Sequence, residues 1–416
     1  MRAVGHAPNQ PITHSPNDKP PMSQTAPLDS TPSQAPPQTV PWYRRASVWF
    51  GIGINPASIS VGGGLAQRIP ASQLLWLIPL GALVLVLMST MQGIVGLRRR
   101  QRLAQIATST VGAGGAGLIN LLMAIGMIGW GGFHGGVSGV SAAQLFHLPG
   151  WGGALFVAVA LFVLAELGVN RWATILWLTT AAAVALTLFA LWAVDVTVPA
   201  ATADPLGGLG AWLWGLGAIT AYATLFSLRG PDFTWDMEST ADVIKVNICF
   251  YFLLVFSTGA GVLLYHSTGQ WNIADILTQA QSAGLGHVFL LIAVASPLLS
   301  GLYSGALALS GVSPLSLRQS TALICILTFA LATTRFDQRL ITFLGFIGAS
   351  LGPALFVMLL ANALTPKPAW RLALIAWLAG AVVALLFQWQ GQSIHIFAGA
   401  LTSIVVLGVL RLFNRR

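Results

Sequence analysis

Residues 48–67 read VWFGIGINPASISVGGGLAQ. The run is long and apolar enough to cross a bilayer, yet Asn55 and Pro56 stand in its middle, followed by Ser58, Ser60 and three glycines, Gly62 to Gly64. Proline has no N–H to donate and its ring collides with the carbonyl one turn back. The helix is therefore expected to break there, freeing carbonyls between Gly53 and Ala57. A helix interrupted at the midplane is a binding device in membrane transporters; a packing kink satisfied by neighbouring helices is the other reading.

Outward from this span the same apolar character recurs to the C-terminus. Of 416 residues, 55% are hydrophobic and only 7% charged, which excludes a soluble enzyme and implies an all-α polytopic membrane protein. Apolar runs place twelve spans at 46–66, 73–96, 112–142, 150–169, 172–194, 209–228, 244–265, 286–310, 318–335, 339–364, 369–388 and 394–413. Residues 1–41 are rich in Pro, Ser, Thr and Gln, carry almost no large apolar group and read as a disordered cytoplasmic tail. They hold no apolar run behind basic residues, so no cleaved signal peptide is expected.

The net charge of +9 invites a nucleic-acid reading, but the basic residues fall in short connections. With the tail cytoplasmic, fifteen Lys and Arg lie on the inside, among them Arg44, Arg45, Arg98 to Arg100, Arg171, Arg229, Lys367, Arg415 and Arg416, against Arg68, Arg335 and Arg339 outside. Both termini are then cytoplasmic, and the membrane is the inner or plasma membrane of the cell. The lipid bilayer is the expected partner and nucleic acid is not; the oligomeric state is left open. The acidic residues sit at loops or span ends, so coupling through a carboxylate at depth is not expected. Cys249 and Cys325 lie in apolar spans and read as small buried hydrophobes.

Four further spans carry residues with chemistry. Span 6, from Leu209, has Gly215, Gly217, Thr220 and Tyr222 as its least apolar patch, at the position that matches the break in span 1 if spans 1–5 and 6–10 are inverted repeats. Span 3 contains MIGWGGFHGGVSG, with Trp130 and His134 four residues apart on one helical face. The indole offers a flat stacking surface, and the imidazole offers a donor, an acceptor and a proton that exchanges near neutral pH. The pair suits a planar heterocycle; a packing Trp and a histidine bonded across a helix contact are the alternative. In span 8, Ser296, Ser300 and Ser304 share a face, where hydroxyls could join Gly53 and Ala57 carbonyls around a cation or bond back to their own helix. Span 10 has Gly345, Gly348, Gly352 and Pro353, suited to a thin gate helix or to tight packing.

Together these features resemble the nucleobase-cation symporter family of purine, cytosine, hydantoin and allantoin permeases. The likeness rests on Gly129-Trp130-Gly131-Gly132, on the stretch from Ala223 to Lys245 after span 6, and on Leu302-Tyr303-Ser304-Gly305-Ala306-Leu307 in span 8. The resemblance implies a five-plus-five inverted-repeat core (42–365), two additional C-terminal helices with a short basic tail (366–416), and a substrate site between spans 1, 3, 6 and 8. By matching, Trp130 stacks on the substrate ring and His134 meets its edge. One departure stands out: Ser296, Pro297, Leu298, Leu299 and Ser300 replace the polar run of cytosine permeases.

The expected function is that of a secondary active transporter importing a nucleobase-like heterocycle by alternating access. Asn55, Trp130, His134, Thr220, Tyr222 and Ser300 are the expected substrate contacts, and Gly53, Ala57 and Ser296 the weaker cation set. No cofactor is implied; H+ and Na+ are the coupling ions to consider, with sodium dependence weak or missing. A thiamine-precursor pyrimidine or an amino acid is the alternative cargo. A membrane-embedded enzyme would need clustered His, Asp or Glu at depth, and His134 has no such company.

Overall fold

A computed structural model describes residues 39–167, 169–194, 196, 208–222, 224–279, 283–364, 368–392 and 394–413, without the side chains of 169–173 and 283. Most of the predicted tail, together with Lys367, Arg415, Arg416 and the side chain of Arg171, lies outside the described residues.

In chain order the helices are α1 (Trp42–Gly53), α2 (Pro56–Ala66), α3 (Ala71–Arg99), α4 (Leu103–Phe146), α5 (Gly150–Glu166), α6 (Val169–Ala193), α7 (Leu209–Tyr222), α8 (Thr224–Leu228), α9 (Gly230–Thr234), α10 (Thr240–Thr268), α11 (Ile273–Gln279), α12 (Ala283–Ala293), α13 (Ala295–Ser310), α14 (Leu317–Thr333), α15 (Leu340–Ala363), α16 (Trp370–Trp389) and α17 (His395–Phe413). A 3₁₀ turn, Phe336–Arg339, precedes α15. No strand occurs among the described residues. Backbone hydrogen bonds closed within each helix are what a hydrocarbon solvent demands.

Each of the twelve predicted stretches holds helix, but not always one helix. Among the described residues eight helical stretches are long and apolar enough to cross a membrane, one of them, Gly284–Ser310, running through a turn at Val294. Span 1 is split into α1 and α2 at Ile54-Asn55, and span 6 into α7, α8 and α9. Span 8 is also split, at Val294 between α12 and α13, which its uniform apolar composition hid. Within α4, Gly112 adopts φ +77°, so a short helix from Leu103 to Val111 turns there into span 3.

The bundle closes where side chains are smallest. A Cβ on Gly62 of α2 would collide with the Thr258 carbonyl of α10, and one on Gly261 of α10 with the Ile59 carbonyl, so these two backbones touch directly. Helices α16 and α17 pack on each other and on α15. One boundary needs correction. The segment predicted as tail is already tied down at Val40, whose N–H donates to the Asp236 carbonyl at 2.8 Å in an isolated bridge with Met237. A backbone pairing needs no apolar side chain, so composition could not signal it.

Candidate functional site

The break in span 1 is closed by side chains. Pro56 is the first residue of α2 and Asn55 its cap: Asn55 Oδ1 accepts from the N–H of Ala57 (2.7 Å) and Ser58 (3.3 Å). Its Nδ2 donates to the carbonyls of Gly51 (3.0 Å) and Ile52 (2.8 Å) and to the Tyr222 hydroxyl (2.8 Å). The Tyr222 hydroxyl also lies 2.8 Å from the Ile52 carbonyl, and Ser257 of α10 donates to the Gly53 carbonyl at 2.9 Å. Of the carbonyls expected to be freed between Gly53 and Ala57, that of Gly53 accepts from Ser257 and that of Asn55 from the Ser58 hydroxyl (2.8 Å), while those of Gly51 and Ile52 just before the break are held by Asn55 and Tyr222. Ser257 was absent from the expected site because a lone serine in an apolar span carries no distinguishing pattern.

Beside this break stands an aromatic cage. Trp130 is buried and lies nearly parallel to the His134 imidazole, with ring centroids 5.6 Å apart and planes 19° from one another. Tyr222 meets the indole edge-on at 5.4 Å, Phe343 of α15 does so at 6.1 Å, and Phe226 of α8 lies tilted at 5.8 Å. Trp130 Nε1 and both His134 ring nitrogens are buried without a hydrogen-bond partner among the described residues. Leaving a buried donor or acceptor unmade costs about 1–3 kcal/mol each, and the membrane interior offers no bulk water to relieve it. Three such atoms in one cage make it a place that a polar planar guest would stabilise.

Of the expected contacts, Asn55, Trp130, His134 and Tyr222 converge; Thr220 and Ser300 do not. The Thr220 hydroxyl bonds back to the carbonyls of Leu216 (2.9 Å) and Gly217 (3.0 Å), and that of Ser300 to the Pro297 carbonyl at 3.3 Å. Of the cation set, the Gly53 carbonyl is occupied by Ser257, and buried Ser296 lies against Gly51 rather than beside Gly53 and Ala57.

Arg229 is the largest departure from expectation. It was counted among inside loop charges, but its side chain is fully buried between α8 and α9. Its Nη2 donates to the Ser300 carbonyl at 3.0 Å and Nη1 lies 3.3 Å from Met127 Sδ. The guanidinium carbon sits 5.0 Å from the Phe226 ring centroid and 4.6 Å from that of Phe233. Two aromatic faces and a carbonyl dipole replace part of the hydration that burial removes. Since Phe226 also contacts Trp130, the cation forms a floor beneath the cage.

Ionic contacts hold both ends of the bundle. At the end carrying Arg98–Arg100, Arg45 of α1 pairs with Asp236, and Arg100 donates to the carbonyls of Trp235 (3.1 Å) and Met237 (2.6 Å). At the other end Arg335 bridges Asp337 (3.0 Å) and Asp275 of α11 (3.1 Å), and Asn272 donates to Asp337 at 2.7 Å. Burial pulls the Arg335 guanidinium down, but its bonds to Asp337 and the charge of Asp275 outweigh that and hold it above its ordinary pKa. Asp337 packs against Gly136, two residues beyond His134, so this cluster roofs the cage.

No protein-family model and no curated protein sequence matches this chain. Its fold is shared with solved transporters. The inward-facing conformation of Mhp1 superposes with a TM-score of 0.72 at 14% identity, covering 93% of this chain and 94% of that one. Mhp1, a nucleobase-cation-symport-1 family transporter, in a closed conformation with bromovinylhydantoin bound, gives 0.71 at 16% identity over 93% and 96%. A Na+-coupled sialic acid symporter in a substrate-bound outward-open state gives 0.63 at 12% over 88% of each chain. The manganese transporter of Eremococcus coleocola gives 0.60 at 15% over 88% and 94%. The chain is a multi-pass membrane protein with the architecture of these transporters.

Proposed function

We propose that this chain is a secondary active transporter that imports a nucleobase or related small heterocycle by alternating access, in the manner of nucleobase-cation symporters. It would sit in the inner or plasma membrane with both termini cytoplasmic, as the excess of inside Lys and Arg requires. The observation that carries the reading is the cage itself: a flat indole beside an imidazole whose two nitrogens have no partner among the described residues. A neutral imidazole offers one donor and one acceptor, which complements the –CO–NH– edge of a nucleobase or hydantoin. The substrate ring would take its place against Trp130, and His134 would bond that edge. Tyr222 belongs both to the cage and to the break in span 1, so displacement at Trp130 would be passed to the junction of α1 and α2. Uptake of labelled uracil, cytosine, hypoxanthine and hydantoin by cells expressing the chain tests this. Saturable uptake of at least one, competed by the others, is expected; uptake no greater than in control cells for all four argues for another cargo.

Sodium should contribute little. Arg229 already places a positive charge on the Ser300 carbonyl, Pro297 to Leu299 offer no polar side chain, and the Gly53 carbonyl is engaged. A second cation beside the guanidinium would meet repulsion that low dielectric magnifies. Uptake is expected to vary little when sodium is replaced by choline, and Ser296→Ala to keep the wild-type response. A steep sodium dependence lost in Ser296→Ala would show this inference wrong.

His134 is the proposed source of pH sensitivity. Protonation removes its acceptor, so uptake should change at acid pH, and His134→Gln should flatten that change. An unchanged profile in the mutant would make His134 a structural residue and move any H+ coupling elsewhere.

A further inference from the structure

A cavity of about 360 Å³ lies away from the cage, between α7, α15 and the hairpin of α16 and α17, at the end of the bundle that carries Arg68. Its volume falls in the range of small-molecule sites. Among the described residues Arg68 is the only charged one lining it, and its guanidinium carbon lies 4.9 Å from the Trp214 ring centroid, so a cation and an indole form one wall together. No carboxylate among the described residues lines the cavity.

The opposite wall is more specific. His395 is only 9% exposed, and its Nδ1 lies 3.0 Å from the Gln392 carbonyl oxygen. A carbonyl can only accept, so Nδ1 carries the proton and a neutral His395 keeps its lone pair on Nε2. That Nε2 is buried and has no partner among the described residues. A Cβ on Gly345 of α15 would come within 2.7 Å of Gln388 Nε2 and 3.7 Å of His395 Nε2, so the amide and the imidazole lean over the same glycine. An acceptor thus stands beside an amide, with the Arg68 cation across the cavity and Ile396 and Ala218 as apolar lining.

We infer that this cavity is a second ligand site, for a small planar molecule with a –CO–NH– edge such as a cyclic amide or imide. The ligand N–H donates to His395 Nε2, its carbonyl accepts from Gln388 or Arg68, and its ring lies along Trp214. The choice of ligand class rests on the function proposed for the cage, whereas the cavity's donor and acceptor set stands independently of it. A molecule held here waits at the mouth opposite Arg98–Arg100, on the uptake side.

Equilibrium binding of labelled uracil to the full chain in lipid nanodiscs tests the site. Two saturable sites are expected. His395→Phe and Gln388→Leu should each weaken one of them roughly tenfold or more, as loss of a buried hydrogen bond does, and Trp130→Ala should remove the other. Gln388 is half-buried, so its substitution keeps the test open if His395→Phe does not fold. Binding that survives Trp130→Ala and disappears when Gln388→Leu is added establishes the outer site. Binding unchanged in both outer variants, or no binding to the Trp130→Ala chain at millimolar uracil, overturns it. Binding unaffected by Trp130→Ala counts against the cage alone.

Discussion

Trp130→Ala is expected to abolish uptake of a labelled base while the chain still reaches the membrane. Aromatic stacking on a base is worth roughly 1–3 kcal/mol, enough to weaken occupancy by one to two orders of magnitude. The substitution also withdraws the surface against which His134, Tyr222, Phe226 and Phe343 are arranged, so their positions loosen together. Emptying a buried Trp site costs about 3–5 kcal/mol of stability as well. Uptake must therefore be normalised to surface abundance and read beside Trp130→Phe, which keeps a ring in the cage and should retain part of the activity. Wild-type uptake by a well-expressed alanine variant would remove Trp130 from the site.

The second large effect concerns folding. Asn55→Leu removes the cap of α2 and the donors that hold the Gly51 and Ile52 carbonyls and the Tyr222 hydroxyl. A lost cap costs about 1 kcal/mol and each buried group left unmade about 1–3 kcal/mol, so a loss of several kcal/mol is expected. Asn55→Asp should rescue little: it keeps an oxygen for the Ala57 and Ser58 N–H groups but sets an acceptor against two carbonyls. Thermal unfolding in detergent reads both. A melting temperature equal to wild type in Asn55→Leu would mean that the break is held by other contacts.

Much of the architecture could be read without coordinates because hydrocarbon thickness imposes run length, and Pro56 in such a run can only interrupt it. Trp130, His134, Tyr222 and Asn55 were recognisable as polar or planar groups in otherwise apolar spans. Residue type does not say where a hydroxyl points, and the hydroxyls of Thr220 and Ser300 turn back to their own helices. Phe226 and Phe343 were invisible as cage members because a phenylalanine in a span looks like any lipid-facing one, and Phe343 is distant from Trp130 in sequence. Arg229 misled for a sharper reason. Flanked by Leu228 and Gly230-Pro231 it reads as a loop charge; Phe226 and Phe233 lie within one turn in sequence, but only tertiary structure supplies the Ser300 carbonyl and Met127 that complete its shelter.

The contacts at the two mouths are ionic, Arg45 with Asp236 at one and Arg335 with Asp275 and Asp337 at the other, whereas the cage between them is assembled from uncharged rings. Dissolved electrolyte screens charges that solvent can reach over about 8 Å at physiological ionic strength and leaves buried neutral groups largely alone. Arg45 and Arg335 are partly exposed, whereas Asp236 and Asp337 are buried, so screening reaches the basic partner of each pair and weakens it in part. On the proposed transport function, ionic strength would act first on how long each mouth stays shut rather than on how tightly the centre holds its guest. An inert salt would then be a control on turnover that leaves affinity in place.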